Sequence, residues 1–320
     1  MKRRNFVQNS SAALAGLGLL GLSQCSTPGK QEGTETASAE SPDLFFKISL
    51  AQWSIHSQIK KGTLKHIEFA EKAKSFGVEA LEYVSQLFPD ENFDDALLKE
   101  LNTRAEGEGL VNHLIMIDHC GYLAINDETE RKSSIEKHRR WIDAAAVLKC
   151  SSIRVNMEGD GTLDEIIANG TESLRTLSEY ASQFDINVLV ENHGGFSSDV
   201  DQLVKIFDNV NMSNCGALPD FGNFCIDKDE NDDCIREYDR YKGVELLMPY
   251  VKTGVSAKAK RFDEAGNEID SDYSRLLKTV KDSGFTGYIG IEHETDDAEA
   301  EDEGIRRTKE LLIREGSKLS

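Results

Sequence analysis

Asn187-Val188-Leu189-Val190-Glu191-Asn192-His193 contains a short, almost wholly apolar run that ends in an acid. A few Val and Leu residues in a row, without polar alternation, read as a strand buried on both faces, as in a parallel sheet covered by helices. Two later runs end the same way: Cys215-Gly216-Ala217-Leu218-Pro219-Asp220 and Gly287-Tyr288-Ile289-Gly290-Ile291-Glu292. A carboxylate at the end of a buried strand is costly unless it is paired or binds a cation. Glu191, Asp220 and Glu292 aimed at one place would repel one another. A metal ion on the rim of an α/β barrel is therefore the leading expectation.

Working outward, the same strand-like pattern recurs at Lys47–Gln52, Glu79–Tyr83, Val111–Ile117, Ser152–Asn156 and Tyr250–Ser256. Amphipathic stretches separate the runs: Thr63–Phe76, Asp94–Glu108, Thr129–Leu148, Thr162–Phe184, Asp199–Phe207, Cys234–Leu247, Ser271–Ser283 and Asp302–Ile313. Gly77, Gly109 and Gly284 follow helices, where C-terminal caps belong. Eight strands each followed by a helix predict a (β/α)8 TIM barrel over residues 44–320. An open doubly wound sheet would show a Gly-rich turn after its first strand; here that turn reads Trp53-Ser54-Ile55-His56.

The flanking composition bounds the function. The chain has 320 residues, 39% of them hydrophobic, and a net charge of −20. So acidic a surface repels phosphate backbones, so no nucleic-acid partner is expected. Lys2-Arg3-Arg4-Asn5-Phe6, followed by a short apolar stretch from Ala12 to Leu22, resembles a twin-arginine signal peptide over residues 1–25. Leu22-Ser23-Gln24-Cys25 looks like a lipoprotein processing site with Cys25 as the lipidated residue, although Gln24 departs from the usual small residue. Residues 26–43 read as a flexible tether. The expectation is an exported protein, periplasmic or lipid-anchored at the cell envelope, touching a membrane only through that anchor. A soluble periplasmic protein cleaved nearby is the plainer alternative. Cys225 and Cys234 lie close in sequence and could bridge in an oxidising compartment. Nothing in the sequence bears on oligomeric state.

Chemistry in such a barrel collects at the C-terminal strand ends. These carry Trp53, His56, Glu82, Asp118, His119, Arg154, Asn156, Glu158, Glu191, Asn192, His193, Asp220, Asn223, Ser256, Lys258, Glu292 and Glu294. Val190-Glu191-Asn192-His193-Gly194-Gly195, Leu218-Pro219-Asp220-Phe221-Gly222-Asn223-Phe224 and Ile289-Gly290-Ile291-Glu292-His293-Glu294 resemble the xylose isomerase-like superfamily of sugar (phosphate) isomerases and epimerases, over roughly residues 45–315. The resemblance implies a divalent metal held by Glu191, Asp220 and Glu292. The family's fourth ligand, a His on the seventh strand, is replaced by Ser256, with Lys258 matching the Lys that follows it. Asn223 stands where many epimerases place a substrate-contacting His. His193 or water could take the place of the lost imidazole.

By that resemblance, Glu191 and Glu292 are the acid–base pair that moves a proton next to a carbonyl through an enediolate, and Lys258 or Arg154 steadies the oxyanion. His193, Arg154, Asn223, Trp53 and His56 are the expected contacts to a small carbohydrate. An oxygen-rich ligand set suits Mn²⁺ or Mg²⁺, with Zn²⁺ less well served once the His is gone. A sugar isomerase or epimerase is the first expectation. A lyase or hydrolase of 3-keto-glycosides on the same barrel, and a non-catalytic sugar-binding lipoprotein, are the alternatives. Each residue also has a plainer role: rim ion pairs for Glu191 and Glu292, a turn cap for Asp220, core packing for Trp53, an ordinary loop for His193. The run Asp227–Asp233 lacks the Gly and terminal Glu of a calcium loop and reads as a solvated acidic turn.

Overall fold

The computed structural model describes residues 43–320. The signal segment, Cys25 and all but the last residue of the tether lie outside the described residues. Eight parallel strands make the barrel: β1 (Lys47–Ala51), β2 (Ala80–Val84), β3 (Val111–Ile117), β4 (Ser152–Val155), β5 (Asn187–Glu191), β6 (Cys215–Leu218), β9 (Gly254–Ala259) and β10 (Tyr288–His293). They pair in the order β6-β5-β4-β3-β2-β1-β10-β9. The seam between β6 and β9 closes through isolated bridges, Ala217 with Val251 and Asp220 with Ser256. There the Ser256 N–H donates to Pro219 O at 2.8 Å and the Phe221 N–H to Ser256 O at 3.0 Å.

Period-two alternation sorts the strand residues between two cores. Outward-facing Leu50, Leu81, Ile115, Ile153, Val188, Val190, Val255, Ile289 and Ile291 join the large apolar layer under the helices. A second, smaller cluster comprises Ala51, Val84, Leu87, Leu114, Met116, Leu189 and Leu218. The inward positions that follow Leu189 and Leu218 by two residues are Glu191 and Asp220. The barrel interior thus turns from apolar to charged near its C-terminal end.

Local chemistry sets the helix limits. Asp94, Asp127, Thr162, Asp239 and Asp272 cap the helices Asp95–Glu108, Glu128–Leu148, Leu163–Ala181, Arg240–Leu247 and Tyr273–Asp282 by accepting backbone N–H bonds. Gly77, Gly109 and Gly284 each have positive φ after a helix, as the sequence predicts.

Two expectations need correction. The seventh barrel strand is Gly254–Ala259, not Tyr250–Ser256, because Met248–Tyr250 forms a 3-10 turn around Pro249 and delays entry into the barrel. Ser256 is consequently mid-strand, and Lys258 shares its inward face. The predicted helix Cys234–Leu247 is a helix only from Arg240; Cys225–Lys228 and Cys234–Glu237 (β7 and β8) form an antiparallel hairpin joined by a Cys225–Cys234 disulfide. The acidic run at its tip is a tight turn in which Asp229 accepts from the Asn231 and Asp233 N–H groups.

Gly290 on β10 shows how crowded the interior is. A Cβ there would lie 2.5 Å from the carboxylate of buried Glu82, whose Oε1 accepts from Ser49 Oγ at 2.5 Å. Gly290→Ala is expected to destabilise the fold by about 1–3 kcal/mol, seen as a lower urea midpoint at unchanged slope. The double variant Gly290→Ala/Glu82→Ala should recover part of that loss.

Candidate active site

Glu191 ends β5, Asp220 follows β6 across Pro219, and Glu292 lies in β10. All three are buried, and one oxygen from each falls within a mutual 4.8 Å. The β6–β9 bridge sets Ser256 beside Asp220. Ser256 Oγ lies 2.6 Å from Asp220 Oδ2 and 3.0 Å from Glu292 Oε2, between the two carboxylates. The cluster contains no histidine among the described residues, and Ser256 is the residue hydrogen-bonded to two of its acids.

Two buried cations flank the acids. Lys258 Nζ is 2.9 Å from Glu292 Oε1, and Arg154 Nε is 2.8 Å from Glu191 Oε2. Arg154 also donates through Nη1 to Asp118 Oδ1 at 2.7 Å and to Asn156 Oδ1 at 3.0 Å. With all four ionised, Asp118, Glu191, Asp220 and Glu292 outnumber by two the cations beside them among the described residues, Arg154 and Lys258. The Arg154–Glu191 pair is close but misaligned, so Glu191 Oε2 is buried without a hydrogen-bond donor among the described residues. An orphaned carboxylate oxygen, an all-oxygen donor set and a two-charge deficit fit a hard divalent cation. The residues that would hold it are Glu191, Asp220 and Glu292, with the Ser256 hydroxyl at the fourth place.

Burial dominates the titration of these acids. Against the pull of Arg154, it pushes Glu191 up to about 7, and against that of Lys258 it does the same to Asp220. Glu82 is pushed up to about 8, again chiefly by burial. Burial alone would lower Lys258, but Glu292, Asp220 and Glu294 carry it well above its ordinary value. Protons and metal thus compete for the same oxygens. As pH falls through 7, the metal-free site takes up protons that a cation must displace. Mn²⁺ affinity is expected to be at least about ten-fold higher at pH 8 than at pH 6, measured by calorimetry; a flat profile would contradict a site made of these carboxylates.

A cavity of about 470 Å³ opens above the cluster, lined by Trp53, Asp118, Arg154, His193, Lys258 and Glu292 among others. Of the residues expected to touch a substrate, Trp53, Arg154 and His193 are on this wall. Asn223 is not: its Nδ2 donates to Glu191 Oε1 at 3.0 Å and so positions that carboxylate. His56 is also off the wall. Its ring stacks behind the Trp53 indole at 4.2 Å between centroids, and its Nδ1 lies 2.7 Å from Trp53 O. His56 therefore orients Trp53.

Other residues on the strand ends have definite tasks that their types alone do not disclose. Asn192 Oδ1 accepts the Asp220 N–H, and its Nδ2 donates to Asp220 O and Asn223 O, tying the loop after β6 to β5. Asp118 and Asn156 hold Arg154, with Asn156 Nδ2 donating to Asp118 Oδ1 at 2.9 Å. His138, from the middle of the helix Glu128–Leu148, reaches the cavity although nothing in its helical pattern marks it.

The family model described as "xylose isomerase-like TIM barrel" matches residues 70–315. The chain belongs to this family. A comparison with curated proteins gave no match. Solved structures with the same fold include a D-tagatose 3-epimerase-like protein, 20% identical, with 86% of this chain and 100% of that chain covered at a TM-score of 0.65. The 3-keto-D-glucoside 4-epimerase of E. coli, 15% identical, covers 84% of this chain and 99% of its own at 0.61. A xylose isomerase-like TIM-barrel protein from Mycobacterium smegmatis in complex with magnesium is 16% identical, covering 83% and 98% at 0.58. At these identities the likeness concerns the fold.

Proposed function

We propose that this protein is a divalent-metal-dependent sugar isomerase or epimerase that moves a proton next to a carbonyl. The observation that carries the reading is the buried Glu191–Asp220–Glu292 cluster, one oxygen of each within 4.8 Å of the others, with Glu292 opening onto a polar cavity. The epimerases among the solved relatives, and the magnesium in one of them, support it.

A bound Mn²⁺ or Mg²⁺ would polarise the substrate carbonyl as a Lewis acid. Glu191, with Arg154 Nε 2.8 Å from its Oε2, is the base that takes the proton from the substrate carbon. Glu292, its oxygens held by Ser256 and Lys258, returns a proton to the resulting enediolate. Lys258 Nζ faces the developing oxyanion, and Arg154 keeps Glu191 in place. Trp53, stacked on His56 and with Lys60 Nζ 4.5 Å from its ring centroid, contributes its indole to the cavity wall beside a sugar.

The 3-keto-D-glucoside substrate named for one structural relative supports a second reading, a lyase or hydrolase of 3-keto-glycosides using the same pair of glutamates. The Cys225–Cys234 disulfide supports the exported, envelope location. The test is metal content by mass spectrometry, wild type beside Glu191→Gln, followed by NMR of candidate sugars in D2O. Stoichiometric metal lost in the variant, with solvent deuterium entering a carbon-bound position, is the expected result. Release of an aglycone would select the lyase. Sugar binding without exchange would make the protein a binding lipoprotein, and metal-free wild type after soaking would sink the proposed mechanism.

A further inference from the structure

A second cavity, of about 600 Å³, opens at the opposite, N-terminal end of the barrel, at the feet of β3, β4, β9 and β10. Its wall includes His113, Ser151, Lys252, Thr253, Phe285 and Tyr288. The chain carries 57 acidic residues against 37 basic ones, and the cavity above the metal-site acids and the grooves around Glu245, Glu268 and Asp199 are all lined by carboxylates. This wall has none. Lys252 stands on it with no ion-pair or hydrogen-bond partner among the described residues. The lysine stem is nevertheless seated: a Cβ on Gly216, near the start of β6, would lie 2.8 Å from Lys252 Cε. Gly216 thus admits the stem against the strand foot and leaves the ammonium free. Lys47 Nζ lies 5.6 Å from the Tyr288 ring centroid, a second cation beside that ring; the charge of Glu79 reaches Tyr288 as well, but Glu79 is off the wall. The His113 ring packs on Tyr288 at 4.6 Å between centroids. Ser151 Oγ is 3.2 Å from its Nδ1, and its Nε2 is buried with no hydrogen-bond partner among the described residues. Such a nitrogen is a cost that a bound polar group relieves.

We propose that this cavity is a second ligand site, for a small organic acid with an apolar body, held by its carboxylate on Lys252. Lys252 supplies the charge, and the hydroxyls on the same wall supply donors for the remaining lone pairs. Without lining carboxylates the wall spares an anion the repulsion that the rest of this acidic surface imposes. Phe285, Tyr288, Met248 and Pro249 give the other side of the cavity an apolar character, which suits a ligand charged at one end only. A phosphate dianion would find one lysine on the wall and leave that apolar surface uncovered. The site shares no residue with the Glu191–Asp220–Glu292 cluster and needs no metal, so it stands apart from the reading of the mouth as a sugar isomerase or epimerase.

Calorimetry and ligand-observed NMR of the purified protein in EDTA, with benzoate as the probe, test this. Benzoate should bind with a Kd of about 1 mM or below. Benzamide, its neutral isostere, and inorganic phosphate should each bind at least about ten-fold more weakly. Lys252→Met should weaken benzoate binding by at least about ten-fold, Lys252→Glu should abolish it, and Lys252→Arg, which restores a cation on the same exposed position, should keep most of it. Replacing EDTA by Mn²⁺, or Glu191 by Gln, should leave benzoate binding unchanged, because both act at the far end of the barrel. Benzamide or phosphate binding as tightly as benzoate, indifference to Lys252→Met, benzoate binding that appears only with Mn²⁺, or no benzoate binding at about 10 mM would each overturn the proposal.

Discussion

Glu292→Gln is expected to lower kcat by about three orders of magnitude while sugar affinity changes only a few-fold. The amide has the shape of the carboxylate. Its oxygen can still accept from Ser256 Oγ or Lys258 Nζ, which lie 3.0 Å and 2.9 Å from the two carboxylate oxygens. It cannot accept or return a proton in the working pH range. It also removes one negative charge from a site short of two positive ones, so metal should bind more weakly and must be supplied in excess for the comparison. The measurement is steady-state turnover beside deuterium incorporation at saturating Mn²⁺. Turnover within ten-fold of wild type would assign the proton transfer to another group.

The second large effect is on the fold. Lys258→Met should destabilise the protein by about 3–5 kcal/mol, because it strands Glu292 in a buried site without its cation. Both side chains are nearly inaccessible, at 3% and 4%. Removing both partners, Lys258→Met with Glu292→Leu, should recover most of the loss, since neither charge is then left alone. Urea unfolding with and without Mn²⁺ separates the causes. Metal should narrow the deficit of the single variant, because a divalent cation would supply part of the missing positive charge, and should do little for the double variant.

The barrel and its three acids were legible because both rest on local signals. Apolar runs of Val, Ile and Leu mark doubly covered strands, and an acid at the end of such a run stands out against its surroundings. What escaped depends on geometry between distant segments. Tyr250 and Val251 look like strand residues, yet Pro249 turns the chain before it can enter the barrel. Cys234–Glu237 fits a helical pattern, but its pairing with Cys225–Lys228 and the disulfide hold it extended. Asn223 sits at a position that suggests substrate contact, and only the register of β5 against β6 turns its amide onto Glu191. His138 belongs to a helix whose periodicity reports a core face and carries no information about the end of the barrel it overhangs.

The bridge between Asp220 and Ser256 gives the metal site a mechanical meaning. Seven of the eight strand junctions are ordinary ladders, while the one between β6 and β9 is held by isolated bridges. Two of the three acids stand on either side of that junction, since Asp220 follows β6 and Glu292 lies on β10, beyond β9. A cation gripped by both would act as a clasp on a hoop at its weakest point. Loading the site would then slow breathing of the seam as well as enable chemistry, and the backbone amides of Phe221 and Ser256, which span it, are where that tightening would be felt first.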